Sequence, residues 1–371
     1  MQDTTLTICG QRGQRVRSLV AALTLAFCST PLYAGDAIGD AGRLPGFSQL
    51  ANIPGPDHCT VLPDAQMPLI EGHGRMLSPV DIEGRPFMML IDSGAAGTAL
   101  SPQTAASLNE NEDRSKTIRV GGVGGRMDGS QHPLIVHSIR FGSLNLSDFD
   151  VVTAHIERAE VESDAAAAAG MVGVDLLSRF DVEFDFPNHR LSLYHVAACS
   201  GRFAPWTGKY DAFMATRTRQ GTLLVPVVLN GVTLRALIDT GSNVSSIAAS
   251  AAAWAGVDAR AMEGDPAMSF AGARGDMMTA HKHRFDTMSV GAATFHNVRL
   301  SVQDQDFPGI DMLLGMDFLR WRKVWLSYGT NQVFIQYTPP PGGRNPATRA
   351  LPPHGAPGAP SPSAGLEAGA Q

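Results

Sequence analysis

Leu90-Ile91-Asp92-Ser93-Gly94-Ala95 and Leu237-Ile238-Asp239-Thr240-Gly241-Ser242 are two versions of one phrase, 147 positions apart in a chain of 371 residues. In each, an apolar run ends at an aspartate, followed by a small hydroxyl residue, a glycine and another small residue. An ionised carboxylate at the end of such a run is costly to desolvate unless hydrogen bonds or water support it. Its recurrence is therefore what the fold has to explain.

The likeness extends outward from the two aspartates. Residues 76–100 lie on 223–247 without a gap: Pro79 meets Pro226, Gly84 meets Gly231, and Thr98-Ala99-Leu100 meets Ser245-Ser246-Ile247. Further on, Phe141-Gly142 returns as Val290-Gly291. Met171-Val172-Gly173-Val174-Asp175-Leu176-Leu177 returns as Leu313-Leu314-Gly315-Met316-Asp317-Phe318-Leu319. Matches that keep their order over about 130 residues per copy mark an internal duplication. The chain divides into a signal segment 1–34, an N-terminal extension 35–66, a first lobe 67–199, a linker 200–209, a second lobe 210–338 and a Pro/Gly/Ala-rich tail 339–371. The tail has too few apolar groups to offset the entropy of ordering.

Within a lobe the pattern is that of strands. Val80-Asp81-Ile82-Glu83 alternates apolar and polar, Gly84 supplies a turn, and the apolar run to Asp92 follows. Ser101-Pro102 signals a short helix through Leu108, matched in the second lobe by Ala248–Ala255. Thr117–Val120, Ile135–Phe141, Phe149–Val152, Val182–Phe186 and Arg190–Tyr194 read as further strands. Met88, Met89, Phe318, Trp321 and Trp325 read as core. Asp175 and Asp317 read as structural residues.

Composition bounds the rest. Hydrophobic residues are 44% of the chain, enough for a sizeable core, and the formal net charge of −6 gives no reason to expect a nucleic-acid partner. Arg12, Arg15 and Arg17 precede an apolar run from Leu19 to Phe27, with Ala34-Gly35 as the cleavage point. This is the pattern of an export signal, destined for the periplasm or secretion. The run is shorter than the roughly 20 residues of a membrane span, so no stable insertion is expected. Cleavage would leave Cys59 and Cys199 as the thiols of the mature chain. An oxidising compartment makes them candidates for a disulfide, with two free buried thiols as the alternative.

The Gly121–Gly125 run lacks the Gly-Lys-Ser/Thr ending of a phosphate loop. His281 and His283 have no third ligand nearby in sequence, so they read as strand or loop residues rather than a metal site.

The apolar-apolar-Asp-(Ser/Thr)-Gly-(Ala/Ser) phrase, a short helix after it and a later apolar-Gly-x-Asp-apolar-Leu segment resemble the aspartic proteases. The lobes are compact as in the retropepsin-like group and fused in one chain as in the pepsin-like group. The resemblance covers both lobes. It implies an all-β, bilobal fold of two homologous barrel-like lobes with short helices and a cleft between them. It also implies an endopeptidase in which Asp92 and Asp239 activate one water, with a peptide or protein as substrate and no cofactor or metal. Two nearby carboxyls cannot both ionise easily, so one serves as base and the other as acid. The resemblance further implies that Ser93 and Thr240 bond across the lobe interface, and that Gly94 and Gly241 let backbone N–H groups reach the carboxylates. The Ser242 hydroxyl would be free to bond its aspartate where Ala95 cannot. The turns holding Gly122, Val123 and Gly124, and Gly272, Ala273 and Arg274, match flap positions. Neither carries the tyrosine of pepsin-like flaps. A monomer with two pseudo-symmetric lobes is expected ahead of a homodimer. The rival reading is a catalytically inactive peptide-binding protein on the same fold.

Overall fold

The computed structural model describes residues 61–72, 74–109, 111–121, 127–154, 168–195, 204–271 and 277–338. The signal segment, the extension as far as residue 60, Cys59, Cys199, the tail from residue 339 and the turn residues Gly122, Val123, Gly124, Gly272, Ala273 and Arg274 lie outside them.

Each lobe is built on a hairpin that leads into its aspartate. In the first, Arg75–Ile82 pairs antiparallel with Arg85–Ile91; in the second, Leu223–Leu229 pairs with Val232–Ile238. The turns are Glu83-Gly84 and Asn230-Gly231, all four residues at positive φ between 46° and 84°. Two-residue turns of that hand match the twist of the flanking strands. A later strand then inserts beside the apolar run. Gly170–Val172 runs parallel to Arg85–Ile91, with Val172 opposite Ile91, and its other edge meets Ala99–Leu100. Met312–Leu314 does the same in the second lobe, with Leu314 opposite Ile238 and Ser246–Ala248 on its far side. The chain on either side of each aspartate is thus held apart by one strand, and the loop stands at the strand ends.

Helices are short: Pro102–Leu108, Val174–Leu177, Ala249–Trp254 and Met316–Leu319 among the described residues. Pro102 opens the first, and the Ser101 hydroxyl accepts from Thr104 N at 3.1 Å as its cap. Among these residues no helix is long and apolar enough to cross a membrane. The single strand expected over Ile135–Phe141 is two, Leu134–Val136 and Ile139–Phe141. The Glu83 carboxylate takes the N–H groups of His137 and Ser138 and breaks the run there. Residues Ala65 and Gln66, read as extension, belong to the strand Ala65–Pro68, which pairs with Arg190–Tyr194.

The lobes meet in a six-stranded sheet, in the order Ala65–Pro68, Arg190–Tyr194, Asp181–Asp185, Arg322–Ser327, Gln332–Tyr337, Asp211–Met214. Three strands come from each lobe, in mirrored order. The central ladder sets Glu183 opposite Trp325. Alternation along Asp181–Asp185 separates two faces. Val182 and Phe184 enter a core cluster that runs through both lobes. Asp181, Glu183 and Asp185 are buried too, each satisfied as burial requires. Asp181 accepts from Ser327 Oγ at 2.8 Å and Trp325 Nε1 at 3.1 Å. Glu183 accepts from Tyr194 Oη at 2.6 Å and Trp206 Nε1 at 2.7 Å. Asp185 accepts from Arg190 at 3.0 Å and lies 3.2 Å from Lys323 Nζ. The inter-lobe segment therefore packs down: Tyr194 stacks on Trp325, and Trp206, Tyr210 and Phe334 join them through edge-to-face contacts over this face. Phe318 and Trp325 are core as expected, whereas Trp321 is half-buried.

Because Trp325 belongs to the second lobe and hydrogen-bonds the first, Trp325→Ala is expected to cost about 3–5 kcal/mol. It should lower the midpoint of one joint unfolding transition in denaturant. Separate transitions, with one unmoved by the substitution, would contradict a shared core.

Candidate active site

The apolar runs bring Asp92 and Asp239 to the lobe junction, and local hydrogen bonds fix both loops. Asp92 N donates to Val172 O and Asp239 N to Leu314 O, both at 3.0 Å. Downstream, Thr98 donates to Asp175 from its N–H (2.8 Å) and hydroxyl (2.7 Å), and that hydroxyl accepts from Gly173 N at 3.1 Å. Ser245, Asp317 and Gly315 repeat the arrangement at 2.8, 2.7 and 3.1 Å. Asp175 and Asp317 thus tie the short helices to the aspartate loops. Gly173 and Gly315 permit the contact, since a Cβ there would lie 2.5 Å from Gly97 and 2.6 Å from Val244.

Across the junction the two loops grip each other. Ser93 Oγ donates to Ile238 O at 2.6 Å and accepts from Thr240 N at 3.2 Å. Thr240 Oγ1 donates to Ile91 O at 2.6 Å and accepts from Ser93 N at 3.0 Å. Both side chains are buried. Each hydroxyl therefore bonds the residue just before the other lobe's aspartate.

The carboxylates are held alike. Asp92 Oδ1 accepts from Gly94 N (2.8 Å) and Ala95 N (3.1 Å); Asp239 Oδ1 accepts from Gly241 N (3.0 Å) and Ser242 N (3.1 Å). The glycines serve the opposite lobe as well as their own. A Cβ on Gly94 would fall 2.7 Å from Asp239 Cγ, and one on Gly241 2.3 Å from Asp92 Oδ2. The expected bond from the Ser242 hydroxyl to Asp239 is not made. That hydroxyl donates to Val244 O at 2.9 Å.

Asp239 is 6% exposed, while Asp92 keeps an intermediate share of its surface open. Burial raises the proton affinity of both carboxyls above the ordinary range. For Asp239 the negative charge of Asp92 adds to burial, and together they push it up to about 8. The loop N–H groups and the Arg75 guanidinium pull both the other way. The proton is a property of the pair. Arg75, on the first lobe, donates from Nε to Asn243 Oδ1 of the second at 3.2 Å; sequence reading did not single it out.

The other residues singled out lie elsewhere. His281 and His283 are on the strand Met277–Val290. His283 Nδ1 pairs with Asp265 Oδ2 at 2.5 Å, and His281 Nε2 lies 3.8 Å from Asp304 Oδ1. The strands flanking the flap turns are described: Ile118–Gly121 pairs with Met127–Gln131, and Ala267–Ala271 with Met277–Val290.

Two outcomes follow for stability. Thr240→Val strands a buried carbonyl and a buried N–H and is expected to cost about 1–3 kcal/mol, whereas Thr240→Ser should keep the grip. Free aspartate titrates near 4. Above that value the folded pair holds a proton that the unfolded chain has lost, so this contribution is full below about 4 and fades as the pair ionises at higher pH. Asp239→Asn should therefore gain on the parent as pH rises through that window, by about 1.4 kcal/mol per unit of displacement. Denaturant unfolding across pH measures it, and parallel curves would contradict it.

Comparison with known families places this geometry. The aspartyl protease family profile matches residues 78–176 and 225–318, each span holding one aspartate loop. Among solved structures, the chain is similar to the aspartic proteinase from Irpex lacteus, at 12% identity and a TM-score of 0.44, over 74% of this chain and 97% of that one. Comparison with curated proteins gives no match. The profile covers more than half of the chain and both halves of the duplication, and the chain belongs to the aspartyl protease family.

Proposed function

We propose that the chain is an endopeptidase that hydrolyses peptide bonds with one water activated between Asp92 and Asp239. The observation that carries this reading is the pairing itself: a buried and a half-buried carboxyl from two lobes, each gripped by two loop N–H groups and backed by the other lobe's glycine. Burial and mutual repulsion favour one shared proton. The ionised member takes a proton from the water while the protonated member hydrogen-bonds the scissile carbonyl oxygen. The water oxygen adds to the carbonyl carbon. The tetrahedral intermediate then expels the amine, which leaves with a proton from the pair, and the shared proton is restored. The Ser93–Thr240 grip supports this chemistry by fixing the separation of the carboxyls; a misplacement of about 1 Å can cost roughly a hundredfold in rate.

The paired strands Ile118–Gly121 with Met127–Gln131, and Ala267–Ala271 with Met277–Val290, are proposed to lie beside an extended peptide laid across the cleft. The basic and apolar segment 12–27 supports export, with the two-lobed chain acting as a monomer.

Peptide cleavage by the parent, Asp92→Asn and Asp239→Asn tests the reading. Each substitution should lower kcat/KM by about 10²–10⁴-fold while leaving the fold intact by circular dichroism. A parent that binds peptides but cleaves none from acidic to neutral pH would replace the endopeptidase with a peptide-binding protein.

A further inference from the structure

The duplicated site departs from symmetry at Arg75. Leu77 faces Leu90 across the first hairpin, and the same register carried on by two residues brings Arg75 level with Asp92. In the second lobe Leu224 faces Leu237, and the same step brings Thr222 level with Asp239. Both positions follow a glycine turn that reaches the opposite lobe. A Cβ on Gly74 would lie 3.4 Å from Asn243 Cγ, and one on Gly221 3.0 Å from Val174 Cγ1.

What the turns deliver differs. Arg75, half-buried, bonds Asn243 four residues past Asp239. The positions matching this pair in the duplication are Thr222 and Ala96. Thr222 is buried with its hydroxyl 2.7 Å from that of Thr218, and alanine has no side-chain acceptor. The charged link is made on one side.

A proton-sharing pair carries a net negative charge, and a buried charge without compensation is strongly unfavourable. Among the described residues, Arg75 is a cation that acts on both carboxyls. Among the described residues, the Asp92 charge also acts on the Tyr328 phenol, which burial keeps protonated first, and the Arg217 charge opposes it there.

We propose that Arg75 is a positioning residue of the aspartate pair and its counter-charge, steered into place by Asn243, so that the pair keeps its negative charge under acidic conditions. This rests on reading Asp92 and Asp239 as one proton-sharing pair. Arg75→Gln keeps a donor for Asn243 and removes the charge; Arg75→Lys keeps the charge; Asn243→Ala keeps the guanidinium and removes its hydrogen-bond acceptor there.

The test is a carbon-13 NMR titration of aspartate carboxyls in the full chain, assigned with Asp92→Asn and Asp239→Asn, beside the pH profile of peptide cleavage. Arg75→Gln should move the pair's titration and the acid limb of the profile upward by on the order of one pH unit, about a tenfold loss on that limb. Arg75→Lys should restore most of the shift, and Asn243→Ala should move it by less. An unmoved titration in Arg75→Gln, or a rate loss equal at every pH, would overturn the proposal. If Arg75→Gln does not fold, an Asn243→Ala titration identical to the parent overturns it instead. A shifted titration in a chain that cleaves no peptide would refute the endopeptidase and leave the role of Arg75 standing.

Discussion

Four hydrogen bonds between Ser93 and Thr240 and the backbone across from them hold the two halves of the site together. Each loop on its own presents a largely enclosed carboxylate with two N–H partners, an arrangement that is stable but chemically idle. The grip brings two such carboxyls face to face, and their repulsion then becomes useful because it favours a shared proton. It works only because glycine follows each hydroxyl, leaving room for the opposite carboxylate where a Cβ would collide. The Asp-hydroxyl-Gly order is therefore one device, with charge, lock and clearance in three consecutive residues.

The device needs a rigid frame. Two levels supply it: the hydrogen bonds that tie Asp175 to Thr98 and Asp317 to Ser245, and the six-stranded sheet beneath. That sheet takes three strands from each lobe, so the lobes share one core and cannot easily rotate about the junction. The buried acids of its central strand are matched by tryptophan, tyrosine and basic partners, several supplied by the other lobe or the inter-lobe segment. Removing one partner would leave a buried carboxylate unsupported, which makes the junction sensitive to substitution.

Much of this was legible in the sequence because duplication writes the same constraint twice. The hairpin turns, the helix start at Ser101-Pro102 and the two aspartate loops each carry a local signature. Partners distant along the chain leave none. Asp181, Glu183 and Asp185 alternate with apolar residues as a solvent-facing strand edge would, yet Trp325 bonds the first, Trp206 the second, and Arg190 and Lys323 meet the third. The pairing of Asp181–Asp185 with Arg322–Ser327 spans some 140 residues and has no local sign. Ser242 looked like the source of asymmetry between the halves, but its hydroxyl is spent on Val244. The asymmetry lies at Arg75, which the alignment of the copies sets against Thr222. The difference was in the sequence, but its meaning needed the register that brings Arg75 level with Asp92.

The central claim is that Asp92 and Asp239 act as one unit. A double-mutant cycle on kcat/KM for peptide cleavage, with Asp92→Asn, Asp239→Asn and the pair together, tests it most directly. If the carboxyls share one proton and one water, either substitution alone should remove nearly all that the double substitution removes, because groups that act as a unit are strongly non-additive. Losses that multiply, or a single variant that keeps the parent rate, would contradict the account.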